Sequence, residues 1–163
     1  MLRGSLCAVV FAVCLYTAQS DPLQPKEDAE QKWSRVSHTY RTLNRVSYYK
    51  VYEEPRTWFE ASDTCARDGS HLVIINSPDE AAEVKRYLDS TVDTYIIGFH
   101  DLFQEGHFQT LQCETLEEAG YTTWAVLEPT SFANEDCGGI NQNVQLLDIR
   151  CDVEHPFICE HET

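Results

Sequence analysis

Cations are scarce in this sequence. Twelve Lys and Arg stand against 27 Asp and Glu for a formal charge of −15, and beyond Arg86 the only Lys or Arg is Arg150. That argues against nucleic acid as a partner, because phosphate binding needs stripes of Lys and Arg. The same sign opposes direct docking on anionic membranes. A long hydrophobic run is also missing. The one apolar stretch, Leu6 to Tyr16, is about 11 residues, short of the ~20 that a spanning helix needs, so no membrane insertion is expected. There is no internal repeat, no low-complexity tract and no N-x-S/T acceptor for glycosylation. The six His lack the short ligand spacing of a zinc site. No Ser or Cys has a recognisable His partner, so an enzyme is not expected.

What is present begins with a secretory pattern. Residues 1–20 open with Arg3, run apolar, and close on Ala18-Gln19-Ser20, the small-x-small pattern of signal peptidase cleavage. The protein is therefore expected to be secreted and extracellular, with about 143 of its 163 residues kept. Cleavage removes Cys7 and Cys14 and leaves Cys65, Cys113, Cys137, Cys151 and Cys159. In an oxidising compartment five cysteines imply two disulfides and one odd thiol.

Residues 21–46 are polar, with no steady apolar period, and read as a flexible leader in which Trp33 packs at most on the domain edge. From residue 47 the chain becomes regular. Tyr48 to Tyr52 is aromatic and β-branched, a first strand. Thr57 to Asp68 places Trp58, Ala61 and Cys65 on one helical face and stops at Gly69, an αL cap. His71 to Asn76 reads as a short buried strand. Ser77 to Glu80, "SPDE", is a capping box that starts a second helix, running to about Asp89 and burying Ala81, Val84 and Leu88. After it come the strand-like pieces "YIIGF", "HFQTL", "TTWAV", "VQLLDI" and "PFICE". Helices first and strands afterwards indicate an α+β domain.

Between Leu127 and Cys151 the sequence gathers Glu128, Glu135, Asp136 and Asp148 with three Asn. A charge run of this kind is most often a solvated loop, so its neighbours decide its meaning. "WFEASDTCARDGSHLVIINSPDE" (Trp58 to Glu80) resembles the W-x-x-A-x-x-x-C-x-x-x-G-x-x-L opening helix of the C-type lectin-like domains. "IIGF" sits where that family has W-I-G-L, with the Trp lost and the Gly kept. Trp124, Pro129, Cys137, Cys151 and Cys159 follow at the family's intervals, so the resemblance covers roughly Tyr48 to Glu160. "IIGFHDLFQEGHF", "LEEAGYTTW" and "PFICE" are most similar to the single-domain hemolymph lipopolysaccharide-binding lectins of insects.

The resemblance implies a C-type lectin fold over residues 47–161: two helices, two small antiparallel sheets and a long calcium-binding loop region. It also implies disulfides Cys65–Cys159 and Cys137–Cys151, core roles for Trp58 and Trp124, and a cis Glu128–Pro129 bond. Cys113 is left as an unpaired thiol, or as the bridge of a disulfide-linked homodimer.

Two calcium sites follow from the same resemblance. The sugar-binding positions read Glu128-Pro129-Thr130, Glu135 and Leu147-Asp148, so three carboxylates are kept while Thr130 and Leu147 replace two amides. Calcium takes six to eight oxygens, and the amides also donate to sugar hydroxyls, so this site is weakened. The auxiliary positions fall on Asp101, Glu105 and Asp136, with Glu135 beside them and Ser131 at a further Asp position. That site keeps more of its ligands. The implied function is a secreted, calcium-dependent lectin recognising microbial glycans such as lipopolysaccharide in innate immunity. The alternative is the same fold with a decayed sugar site that binds a protein, as venom or coagulation-related modules do.

Overall fold

In the computed structural model the described residues are 28–42, 47–130 and 134–162. The signal peptide expected over residues 1–20 and the position of Ser131 lie outside them. Among the described residues no helix is long and apolar enough to cross a membrane.

The first element among the described residues is a helix that the sequence reading did not anticipate. Asp28 caps α1 (Ala29–Val36) by accepting from the Gln31 amide at 2.7 Å, and a 3-10 turn (Ser37–Thr39) follows. Trp33 anchors it. Its ring stacks on His161 with centroids 3.7 Å apart and meets Tyr40 and Tyr48 edge-on at 4.8 and 5.6 Å. Gly69, at φ +76°, allows this approach, since a Cβ there would lie 2.5 Å from the Ala29 carbonyl oxygen. The flexible leader is thus corrected over residues 28–42. Trp33 with its ring partners, the buried Tyr40 and the half-buried Val36 fasten a segment that is otherwise mostly polar.

Strand β1 (Ser47–Arg56) leads into α2 (Trp58–Arg67), where Thr57 and Glu60 form a reciprocal capping box. Trp58, Ala61 and Cys65 are the buried face, as their spacing requires. The short β2 (His71–Leu72) precedes α3 (Pro78–Val84), which passes into a 3-10 turn (Lys85–Tyr87). Ser77 caps α3, but Glu80 does not complete the expected box. Its carboxylate reaches past Ser77 to the Asn76 amide at 2.7 Å and accepts from the Tyr49 hydroxyl at 2.6 Å. Glu80 thereby ties α3 to β1.

Strands β3 (Tyr95–His100), β4 (Gln109–Thr110), β5 (Cys137–Ile140), β6 (Leu146–Ile149) and β7 (His155–Glu162) complete the domain, with a short helix α4 (Leu116–Ala119) between β4 and β5. Two antiparallel groups are present, β1 with β7 and β2, and β3 with β4, β5 and β6. A parallel bridge, Ile96 to Phe157, joins them in the order β1-β7-β3-β5-β6. "TTWAV" contributes only an isolated bridge, Trp124 to Leu146.

Gly98 sits where this sheet meets β2. A Cβ at residue 98 would lie 2.4 Å from the Leu72 carbonyl oxygen, while the Gly98 amide donates to the Val73 carbonyl at 2.8 Å. That contact explains the glycine in "IIGF". The Trp58 indole closes the same region by donating to the Ile97 carbonyl at 3.0 Å.

Cys65 pairs with Cys159 across 94 residues and Cys137 with Cys151 across 14, as the resemblance implies. In the chain-entropy account a ~100-residue loop contributes about 4.7 kcal/mol and a ~15-residue loop about 3 kcal/mol. The first bridge fastens α2 to β7, and the second pins the acidic loop region. Cys113 is disulfide-bonded as well, which corrects the unpaired thiol expected there.

Candidate functional site

The end of β3 delivers Asp101 to the loops. Its amide donates to the Asp136 carbonyl at 3.1 Å, and its Oδ2 accepts from the Gly106 amide at 2.7 Å. A turn closed by the Gln104 amide on the Asp101 carbonyl brings Glu105 back toward its start. Asp148 comes from the opposite side, in β6 facing Gly138 of β5. Oxygens of Asp101, Glu105 and Asp148 lie within 4.8 Å of one another.

Burial makes this cluster more than a solvated face. Asp101 is 2% exposed and Asp148 3%. Asp101 Oδ1 and both Asp148 oxygens have no hydrogen-bond partner among the described residues. Burial, with Asp101, Glu105, Glu135 and Glu128 nearby, pushes the Asp148 carboxyl up to about 8. Asp101 is raised by burial and by Asp136, and Glu105 by desolvation and then by Asp101 and Asp136. Three carboxyl groups so placed cannot all ionise unaided. Oxygen donors of this kind, buried and unpartnered, fit a hard divalent cation such as calcium.

Beside the cluster lies a second group on one loop. The Thr130 amide donates to Glu128 Oε2 at 3.1 Å, and the Thr130 hydroxyl donates to Glu135 Oε2. Thr130 therefore holds two carboxylates in place with its own polar groups. The Glu128–Pro129 bond is cis. Leu147, half-buried and paired with Gly139 across β5 and β6, adds no oxygen.

The Lectin C-type domain family model matches residues 54–161. The chain belongs to the C-type lectin family. Relatives of this C-type lectin domain include the hemolymph lipopolysaccharide-binding protein of Periplaneta americana, 39% identical over 127 residues. That alignment takes in 72% of the chain and 50% of the relative, so the chain spans half of that protein's length. Human C-type lectin domain family 17, member A is 32% identical over 114 residues, with 70% of the chain and 29% of the relative covered. Among solved structures, the mouse scavenger receptor C-type lectin carbohydrate-recognition domain superposes with a TM-score of 0.69 at 27% identity, over 76% of this chain and 95% of that one. A calcium-independent type II antifreeze protein superposes at 0.67 and 21% identity, covering 76% of this chain and 92% of that one. That likeness concerns the fold alone.

Within this C-type lectin domain the seven site residues divide differently from the expectation. Asp148, assigned by resemblance to the sugar site, has an oxygen within 4.8 Å of oxygens of Asp101 and Glu105, which the resemblance gives to the auxiliary site. Asp136 contributes its carbonyl to the Asp101 loop, and its carboxylate is not among the three grouped ligands. Glu128, Thr130 and Glu135 stay together as a hydrogen-bonded loop unit.

Sequence reasoning missed one buried acid pair outside the site. Glu160 in β7 is fully buried beside Glu80, accepts from the Ile74 amide at 3.3 Å, and has its carboxyl raised by burial and by Glu80. Nothing in "PFICE" marks it, since a terminal Glu after an apolar strand ordinarily points to water.

Proposed function

We propose that this chain is a secreted, calcium-dependent lectin that binds microbial surface glycans such as lipopolysaccharide, as part of innate immunity. The observation that carries the reading is the set of unpartnered, buried oxygens on Asp101 and Asp148 facing Glu105. Asp101, Glu105 and Asp148 would hold the ion, with Glu128, Glu135 and Asp136 adding negative potential around it. The ion would neutralise these acids and offer positive charge to hydroxyl or phosphate oxygens of a saccharide. Thr130 orients Glu128 and Glu135, which remain acceptors for sugar hydroxyls. The named lipopolysaccharide-binding relative from hemolymph supports both the ligand class and secretion. Binding rather than catalysis is the role proposed.

On immobilised lipopolysaccharide or mannan in millimolar calcium, the protein should be retained and should elute with a chelator. A second reading, protein binding through a decayed sugar site, is favoured by Leu147 standing where the family supplies an amide. Absence of retention on every glycan, with specific capture of a protein ligand, would replace the first reading with the second.

A further inference from the structure

Six large apolar side chains are exposed among the described residues, and four of them stand on the loops that carry the site carboxylates. Leu102 and Phe103, 37% and 58% exposed, lie between Asp101 and Glu105. Val126 and Leu127, 86% and 88% exposed, run directly into Glu128. Scattered single apolar residues need no explanation, but placement against one functional site does.

The Val126–Leu127 tip also carries backbone strain. The Glu128 amide donates to the Ala125 carbonyl at 3.1 Å, which closes a four-residue turn. The Ala125 amide in turn donates to the Leu146 carbonyl at 2.9 Å, fixing the turn on β6. Leu127, the third residue of that turn, has φ +75°, a conformation that glycine adopts freely and a branched side chain adopts at a cost. Leu127 thus opposes the local backbone preference and exposes an apolar surface to water at once. Strain held in this way beside a candidate site is a reason to look for a function at that position.

We propose that Val126 and Leu127 form an apolar edge that takes the acyl chains of an amphipathic glycolipid whose saccharide occupies the adjoining carboxylate site. This rests on the glycan-binding reading above and specifies the ligand further. Apolar and acidic residues alternate here within one or two positions, so the ligand must join a hydrocarbon chain to an oxygen-rich head over a short span. An acylated sugar has that construction. Two side chains supply a small fraction of the about 800 Å² per partner of a standard protein interface, yet suffice to cover part of an acyl chain. The dense negative charge of the loops disfavours a purely apolar ligand and suits one whose head engages a cation.

The test compares one lipopolysaccharide with the same material stripped of its acyl chains, in millimolar calcium. It uses the full chain and its Val126→Ser/Leu127→Gly variant. The wild type should bind the acylated form about tenfold more tightly or better. In the variant the two forms should bind alike, at the wild-type affinity for the deacylated one. The variant's melting temperature should hold or rise, because glycine relieves the turn. Equal wild-type affinity for both forms, or an unchanged preference in the variant, would overturn the acyl-binding edge and leave the glycan reading standing. Binding of neither form would overturn both.

Discussion

In millimolar calcium the protein should melt well above its temperature in chelator, and Asp101→Asn should remove most of that difference. An ion that binds only the native state stabilises it by mass action, about 2.7 kcal/mol at ~100 times the dissociation constant. For a domain of this length that is a shift of roughly 10 °C. Asp101 is the informative position because its two oxygens have different duties. Oδ2 accepts from the Gly106 amide, whereas Oδ1 has no described partner. An Asn side-chain oxygen can keep the first contact, so the loop holds while the charge that attracts the ion is lost. Removing one of several crowded acids also lessens repulsion, so the variant in chelator should melt no lower than the wild type. A wild-type melting temperature indifferent to calcium would remove the ion from the account.

The second large effect is on pH. The Asp148 carboxyl lies at about 8 in the fold, far above its ordinary 3.8. The folded state therefore holds a proton that the unfolded state releases between those values. Stability from this group is fully present below about 4 and declines as pH rises through 8, by up to about 1.4 kcal/mol per pH unit. In chelator the melting temperature should fall steadily from pH 5 to pH 8. Calcium should flatten the fall, because a bound cation favours the ionised form. Glu160, raised beside Glu80, acts in the same direction and lies outside the calcium cluster, so a residual slope should survive calcium. Asp148→Asn should abolish the calcium-sensitive part and leave the residual. A flat profile in chelator, or a slope that calcium does not touch, would contradict the arrangement of the three acids.

Much of this was legible in the sequence, and the exceptions have physical causes. The face of α2 appears in the spacing of Trp58, Ala61 and Cys65, because a helix reports its buried side within a single turn. The strand Cys137–Ile140 was hidden within the acidic loop, since "CGGI" has little β character of its own. Gly138 is required by a distant residue: a Cβ there would lie 2.5 Å from the Phe99 ring. The ligand residues could be named one by one through resemblance, but their grouping could not. Asp148 meets Asp101 only because β6 pairs with β5 and β5 with β3, a chain of contacts with no local signature. Leu127 was equally silent: as a sequence it is an apolar residue before Glu128, and only its backbone angle shows that glycine would be easier there. The leader helix escaped for the opposite reason. Its polar composition is plain, and its attachment rests on Trp33 finding Tyr48 and His161.

The central claim is that a calcium ion on Asp101, Glu105 and Asp148 is a condition of glycan binding. Calorimetric titration of the metal-free protein with calcium, followed by titration with deacylated lipopolysaccharide in the presence and absence of the ion, tests it most directly. Saturable calcium binding that Asp101→Asn abolishes is expected, with saccharide heat only after calcium has been added. Saccharide binding of equal affinity in chelator, or no calcium binding at all, would contradict it.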